Sequence, residues 1–438
     1  MEKSRAEKEI GENQVKSEWL SPVSWLIFAV AFAAPFGAGM QELDLPVTPS
    51  RVFVGLGLLV ILCWLVQTKG CIVFPRSFNL FILFCVLHIC ITYLFFRRDE
   101  LIFSYISEIQ IMGGFIRYKE GIGLLVARFF LFIAVGYALA GLLVSGERIR
   151  IMAIGLATGL FATLILGGYS QYFARSNEFR MAGGFLDPNS FGRMGVAAFF
   201  LSIMIAVDLE LSRNRRLIAS LLGGIGMLVT IISGSRGALI GLIAGCMATL
   251  FMFRSAWRWF LPLTVAMACA MILFIVLPLV DVRSTANDRF DPEYSMSDSG
   301  AGRLQIWGDY LAKWKDYVLL GVGFRHNQQL LVGNYSFKVA DTHNQYLEIL
   351  VSYGVPGLLL WIAGLWSLLR RLQRLNKNKG SRMPVIALIS LFVSFLVQSF
   401  FLDVLSLRDT WLILAALGAS YWSQQTNTQA RPFVESQR

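Results

Sequence analysis

Residues 213–252 read RNRRLIASLLGGIGMLVTIISGSRGALIGLIAGCMATLFM. Two apolar runs, 216–232 and 237–253, flank the insert Ser233-Gly234-Ser235-Arg236-Gly237. Serines and glycines punctuate helices, so the insert predicts a tight turn between two helices rather than one long rod. Each run is long enough to approach the thickness of a bilayer, and neither alternates as a transmembrane strand would. Arg213, Arg215 and Arg216 crowd the entrance, and cytoplasmic loops are the ones that carry such clusters. This stretch therefore reads as a membrane hairpin whose Ser-Gly-Ser-Arg-Gly turn faces away from the cytoplasm.

The same pattern extends along the 438 residues, of which 56% are hydrophobic and only 15% charged. Soluble domains carry about 25% charged residues, which places this chain outside that class. Apolar windows predict spans at 24–40, 52–66, 78–96, 122–145, 150–169, 189–208, 216–232, 237–253, 259–280, 346–369, 384–402 and 409–423. The expected fold is an all-α polytopic membrane protein of about 12 transmembrane helices. Residues 1–23 and 424–438 are expected as cytoplasmic tails around a transmembrane domain 24–423. Orientation follows from the short loops, where Arg213–Arg216 and Arg370–Arg382 fall on the cytoplasmic side. The first run lacks the short basic leader of a secretory signal and reads as a retained span.

Two outer segments exceed simple turns. Residues 97–121 mix Leu101, Ile102, Ile106, Ile109 and Ile111 with polar residues, which suits a segment along the interface. Residues 281–345 form the long outer loop, where Leu304, Trp307, Leu311, Trp314 and Val318 recur at helical spacing. That stripe predicts an amphipathic helix against the outer membrane surface, with a small loop carrying its own core as the alternative.

Every helix that starts on the outer side carries a basic group in or just before its first turns: Arg51, Arg128, Arg193, Arg236, His343 and Arg408. A helix N-terminus already carries about half a positive charge, so cations there do not serve helix stability. Arginines beside helix N-termini suit a phosphate or diphosphate. Arg51 and Arg408 also suit snorkelling into water. Arg128 and Arg193 lie deeper, where a charge needs a partner or a wet cavity, and Asp187 is the expected partner of Arg193.

Asp187-Pro188 reads as a helix start, with Asn189 able to face the same pocket. His343, followed by Asn344, can accept a proton near neutral pH. Glu348, one turn on, is placed to hold the imidazole or to pair with an arginine. His88 reads as a packed residue within a span. The six cysteines show no ligand spacing. No GxSxG, HExxH or Walker loop occurs, and no acidic cluster marks a metal and sugar-nucleotide site. The +11 net charge is spread over loops rather than gathered, so no nucleic-acid partner is expected.

The chain resembles the bacterial O-antigen ligase and polymerase superfamily, which includes exopolysaccharide polymerases and some protein O-oligosaccharyltransferases. The resemblance rests on Phe185-Leu-Asp-Pro-Asn-Ser-Phe191, Ser233-Gly-Ser-Arg-Gly-Ala238 and Gly302-Arg303 with Trp307. It rests further on Gly321-Val-Gly323 and Thr342-His-Asn-Gln-Tyr-Leu-Glu348 with Gly354 and Gly357. It implies a GT-C-like, metal- and cofactor-independent glycosyltransferase at the periplasmic face of the bacterial inner membrane. The implied donor is a glycan on undecaprenyl diphosphate. The implied acceptor is the lipid A core for a ligase, or another lipid-linked repeat for a polymerase. By the same resemblance Arg193, Arg236 and Arg303 grip the diphosphate, and His343 activates the acceptor hydroxyl for an inverting displacement. Asp187, Asn189, Asn344, Glu348, Arg128 and Arg51 support them. The tail 424–438 is too short for the added domain of many protein-glycosylating members, which counts against a protein acceptor; of the other two, ligase-type transfer to the lipid A core is preferred. A transporter or flippase for an anionic lipid or solute is the alternative of another class. It would be expected to show internal repeats, and none is apparent.

Overall fold

The computed structural model describes residues 21–36, 49–93, 104–111, 114–174, 188–208, 211–252, 303–324, 342–376, 382–402, 405 and 407–419. The helices are α1 (Pro22–Ala33), α2 (Pro49–Thr68), α3 (Arg76–Ile91), α4 (Ile122–Leu142), α5 (Gly146–Ala174) and α6 (Pro188–Ala206). They continue with α7 (Arg213–Ile232), α8 (Arg236–Met252), α9 (Arg303–Ala312), α10 (Gln345–Asn376), α11 (Arg382–Gln398) and α12 (Arg408–Gly418). A short 3-10 turn, Trp314–Asp316, follows α9.

Among the described residues, 6 helices are long and apolar enough to cross a membrane. They are α2, α4, α5, α6, α7 and α10. Helices α1, α3, α8 and α11 are apolar but shorter, and the expected span 259–280 lies outside the described residues. The chain is thus a multi-pass helical membrane protein. At 1.5 Å per residue, the 12 residues of α1 reach only ~18 Å, short of the ~30 Å hydrocarbon core.

The all-α expectation needs one correction. Strands β1 (Ser104–Ile111) and β2 (Gly114–Gly121) form an antiparallel hairpin with Ser104 opposite Gly121 and Ile111 opposite Gly114. It occupies most of the segment expected to lie along the interface. The misread has a physical source. The run Ser-Tyr-Ile-Ser-Glu-Ile-Gln-Ile alternates partly and is rich in β-branched residues, which favours a strand. In the sequence the pair Gly113-Gly114 is of the kind that favours a tight hairpin connection.

Helix α6 is the centre of the bundle, buried from Ser190 to Ile205. It packs closest on α7, where Gly195 and Gly226 face each other. A Cβ on either would come within 2.6 Å of the other's carbonyl oxygen. Without a hydrophobic force between helices in lipid, small residues allow such close approach and its dispersion contacts. The outward faces of α2, α3 and α10 carry exposed leucines and isoleucines, as lipid-facing surfaces do.

Side-chain links sort the helix ends. Arg371 donates to the carbonyls of Val73 (3.0 Å) and Ala419 (3.2 Å). The turn before α3, the last turns of α10 and the end of α12 therefore share one face of the bundle. Arg150, between Glu147 (2.7 Å) and Asp208, has its charge compensated where α5 begins and α6 ends. At the opposite face, Gln345 N–H donates to Ser399 (2.8 Å) and Gln345 Oε1 accepts from Leu405 N–H (2.6 Å). The starts of α10 and α12 and the end of α11 meet there.

Candidate functional site

The turn Ser233–Ser235 folds as its residues dictate. Ser235 caps α8, its hydroxyl accepting from Ala238 N–H (3.3 Å), and Ser233 Oγ accepts from Ser235 N–H (3.2 Å). Arg236 therefore sits at the first position of α8, half-buried. Ser235 Oγ also donates to Asn189 Oδ1 (2.9 Å), so the start of α6 and the α7–α8 turn are joined by side chains. The two blocks read separately in the sequence thus form one corner of the site.

Arg193 lies about one and a half turns into α6 and is wholly buried, at 0% exposure. Among the described residues its partner is Asp409 at the start of α12, and Asp187, the expected partner, lies outside the described residues. Arg193 Nε donates to Asp409 Oδ2 at 2.8 Å, and Nη2 donates to the same oxygen. The grip is one-sided: Arg193 Nη1 and Asp409 Oδ1 are buried with no hydrogen-bond partner among the described residues. Asp409 escaped the sequence reading, although an acid and an arginine both within apolar helices are a recognisable signal for a pair.

The other basic helix starts divide. Arg51 and Arg128 are exposed, while Arg408 is half-buried with its guanidinium 5.3 Å from the centre of the Phe53 ring. Arg408 is therefore stacked against α2, not merely snorkelling.

His343 is the best-defined member of the site. Its backbone is left-handed, with φ 47°, a conformation that costs an L-residue roughly 1–2 kcal/mol. Its neighbours hold it there. Asn344 caps α10, accepting from Tyr346 N–H (3.0 Å) and Leu347 N–H (3.1 Å). The Thr342 carbonyl accepts from Trp307 Nε1 of α9 at 2.8 Å. The Thr342 hydroxyl reaches Glu348 Oε2 (3.1 Å), and Glu348 Oε1 accepts from Ser352 (3.0 Å). Glu348 thus braces the loop through hydroxyls. Strained backbone over-determined by its surroundings gathers at functional sites.

Helix α9 carries Arg303 at its first position and docks on this loop. The expected outward stripe is corrected in part. Trp307 turns inward to Thr342, and Ile306 and Tyr310 pack with Tyr317, Leu347 and Val351 as a small second core. Tyr317 donates to the Tyr310 carbonyl at 2.8 Å. Burial, then the neighbouring Asp316 charge, pushes its hydroxyl above the usual tyrosine range, so it remains a protonated donor at neutral pH.

Beyond α9, Gly321-Val-Gly323 docks into a break in α10. At Gly354 (φ 69°) the helix is interrupted, and Pro356 has no N–H to give. Val355 N–H, which would bond Val351, instead donates to Val318 (2.8 Å). The carbonyls of Val351 and Ser352 are left over, and they accept from Val322 N–H (2.8 Å) and Gly323 N–H (3.1 Å). Gly321 (φ 74°) lies against the Ser352–Tyr353 backbone and Gly354 against the Leu319–Leu320 backbone, leaving no room for a Cβ on either.

Asp187, His326 and Asp341 lie outside the described residues. Among the described residues, no cluster of three or more His, Cys, Asp or Glu is placed to hold a metal.

The strapped α9–α10 unit and the α7–α8 corner fall within one matched segment. Residues 222–362 match the family model described as O-antigen ligase. The chain is also 28% identical over 218 residues to an O-antigen ligase of Pseudomonas aeruginosa PAO1. That alignment covers 48% of this chain and 47% of the relative, about half the length of each. Together the two matches support the resemblance of this chain to the O-antigen ligase and polymerase superfamily.

Proposed function

We propose that the chain is a glycosyltransferase of the bacterial inner membrane. It moves a glycan from undecaprenyl diphosphate to an acceptor hydroxyl at the periplasmic face, with the lipid A core as acceptor. The observation that carries this reading is His343, held in left-handed backbone between the Trp307-bound Thr342 and the α10 cap Asn344. The family match supports the reaction class, and the basic groups at helix starts support an anionic donor.

In the proposed reaction the His343 imidazole takes the proton of the acceptor hydroxyl as that oxygen attacks the anomeric carbon. The bond from that carbon to the diphosphate oxygen breaks, and undecaprenyl diphosphate leaves with the electron pair. Attack opposite the leaving group inverts the centre. Arg236 and Arg303 neutralise the departing charge, and Arg193 contributes through the Nη1 edge that Asp409 does not use. Fixed cations in a site of low dielectric stabilise developing charge without reorganising. Asn189 and Ser235 keep the Arg236 corner in register, and Asn344 and Glu348 hold the loop. Arg51 and Arg128 add positive field at the rim. Residues 1–23 and 424–438 flank the membrane domain as cytoplasmic tails on this reading.

The test uses a strain lacking this protein, complemented with wild type or His343→Ala at matched abundance. Lipopolysaccharide and polysaccharide are then compared on gels. The account predicts that His343→Ala loses the ladder on lipid A core while polymer accumulates on its lipid carrier. Collapse to single repeat units would assign polymerase activity instead. An unchanged ladder and polymer would end the catalytic assignment of His343 and favour a transporter.

A further inference from the structure

The segment that carries Arg303 has a second apolar face that its small core does not use. Ile306 and Tyr310 point inward, while Leu304 and Leu311, seven residues apart on α9, are 65% and 55% exposed. Trp314 follows at 48%, then Leu319 at 76% and Leu320 at 68%. Large exposed apolar surface of this kind marks an interaction site.

Two observations identify what meets it. The first is continuity with lipid-facing surface. On α3 the residues Leu83, Leu87 and Ile91 form an exposed stripe, and His88 beside it reaches the Leu320 carbonyl (2.6 Å). On α10 Val355, Leu359 and Ile362 form another, and Val355 N–H bonds Val318. The strap is therefore tied to the outward stripes of two membrane helices.

The second is the backbone of the strap. In hydrocarbon an unpaired N–H or carbonyl costs several kcal/mol, so irregular chain survives there only with its polar groups engaged. The N–H groups of Val318, Gly321, Val322 and Gly323 all donate within the protein. The carbonyls of Val318 and Leu320 accept from Val355 and His88. Lys315 and Asp316, also exposed, keep one edge polar.

We infer that Leu311, Trp314, Leu319 and Leu320 are immersed among the acyl chains of the outer leaflet, so that this rim anchors α9 in the bilayer. Arg303 is then held near headgroup depth by lipid as well as by protein. This anchoring is independent of the catalytic reading. The spectroscopic test below measures immersion whether or not the chain transfers glycans.

Single cysteines at 311, 314, 315, 319 and 320 are introduced into a cysteine-free chain, spin-labelled and reconstituted in phosphatidylethanolamine–phosphatidylglycerol vesicles. Collision with oxygen is compared with collision with a water-soluble nickel chelate. Labels at 314, 319 and 320 are expected to favour oxygen several-fold more than the label at 315. Water-like accessibility at 319 and 320 would overturn the inference, and so would protection from both reagents, which indicates a protein partner. A photo-crosslinking residue at Leu319 in the wild-type cysteine background guards against misfolding. A lipid adduct is expected, and a protein adduct or none would contradict the proposal.

Discussion

A guanidinium and a carboxylate buried side by side within a membrane bundle depend on each other. Arg193 and Asp409 are 0% and 1% exposed, so removing either leaves an uncompensated charge. Asp409→Ala is expected to lower stability by about 3–5 kcal/mol, the usual result of breaking a buried pair. Replacing both partners with apolar residues of similar size is often tolerated. Arg193→Met with Asp409→Leu should therefore accumulate near wild-type abundance yet lose transfer, read by lipopolysaccharide gels. A double variant that accumulates and still transfers would reduce Arg193 to a structural cation. The sequence showed Arg193 as a costly charge but not its partner, because 216 residues separate the two. Only the meeting of α6 and α12 brings them together.

At the scale of elements, the strap and the break in α10 form one device. Gly321 and Gly354 take positive φ, and a Cβ on Gly354 would come within 2.5 Å of the Leu319 carbonyl. Gly354→Ala should lower stability by at least ~1–2 kcal/mol from the conformation alone, with a further loss from this contact. Gly308 in α9 has nothing within 4 Å of a Cβ, so Gly308→Ala serves as the control. It should be neutral or stabilising by about 0.5–1 kcal/mol. Thermal unfolding in detergent measures both, and equal effects would remove the structural claim. Gly321, Gly323 and Gly354 stood out in the sequence, but their reciprocal docking is a tertiary fact. The stripe on α9 was legible only in part. Periodicity finds an apolar face, yet Ile306 and Tyr310, which make the core contact, are interleaved with the outward Leu304 and Leu311.

The whole molecule carries its orientation in its arginines. Arg213, Arg215 and Arg216 open α7, and Arg370, Arg371 and Arg374 lie in the last turns of α10. Arg371 bonds the turn before α3 and the end of α12, so the basic ends gather on one face, opposite His343. The account expects both termini in the cytoplasm. Green fluorescent protein fused at either end should fluoresce, and alkaline phosphatase fused there should be inactive. The reverse at either end would invert or interrupt the topology. The six long apolar helices among the described residues were legible because hydrocarbon imposes length and apolarity on such runs. The β1–β2 hairpin was not, because nothing comparable constrains an outer segment of mixed polarity.

The central claim is chemical, and the most direct measurement is release of undecaprenyl diphosphate. Purified protein in vesicles would receive a lipid-diphosphate-linked glycan with lipid A core as acceptor, and the freed lipid would be quantified with glycosylated product. Wild type would be compared with His343→Gly, because glycine accepts the left-handed backbone at φ 47° and so removes the imidazole without adding strain. The account predicts equal folded protein, release matched to product for wild type, and a loss of at least ~100-fold for the variant, the scale of general-base catalysis. Undiminished release by His343→Gly, or none by folded wild type supplied with donor and acceptor, would contradict it.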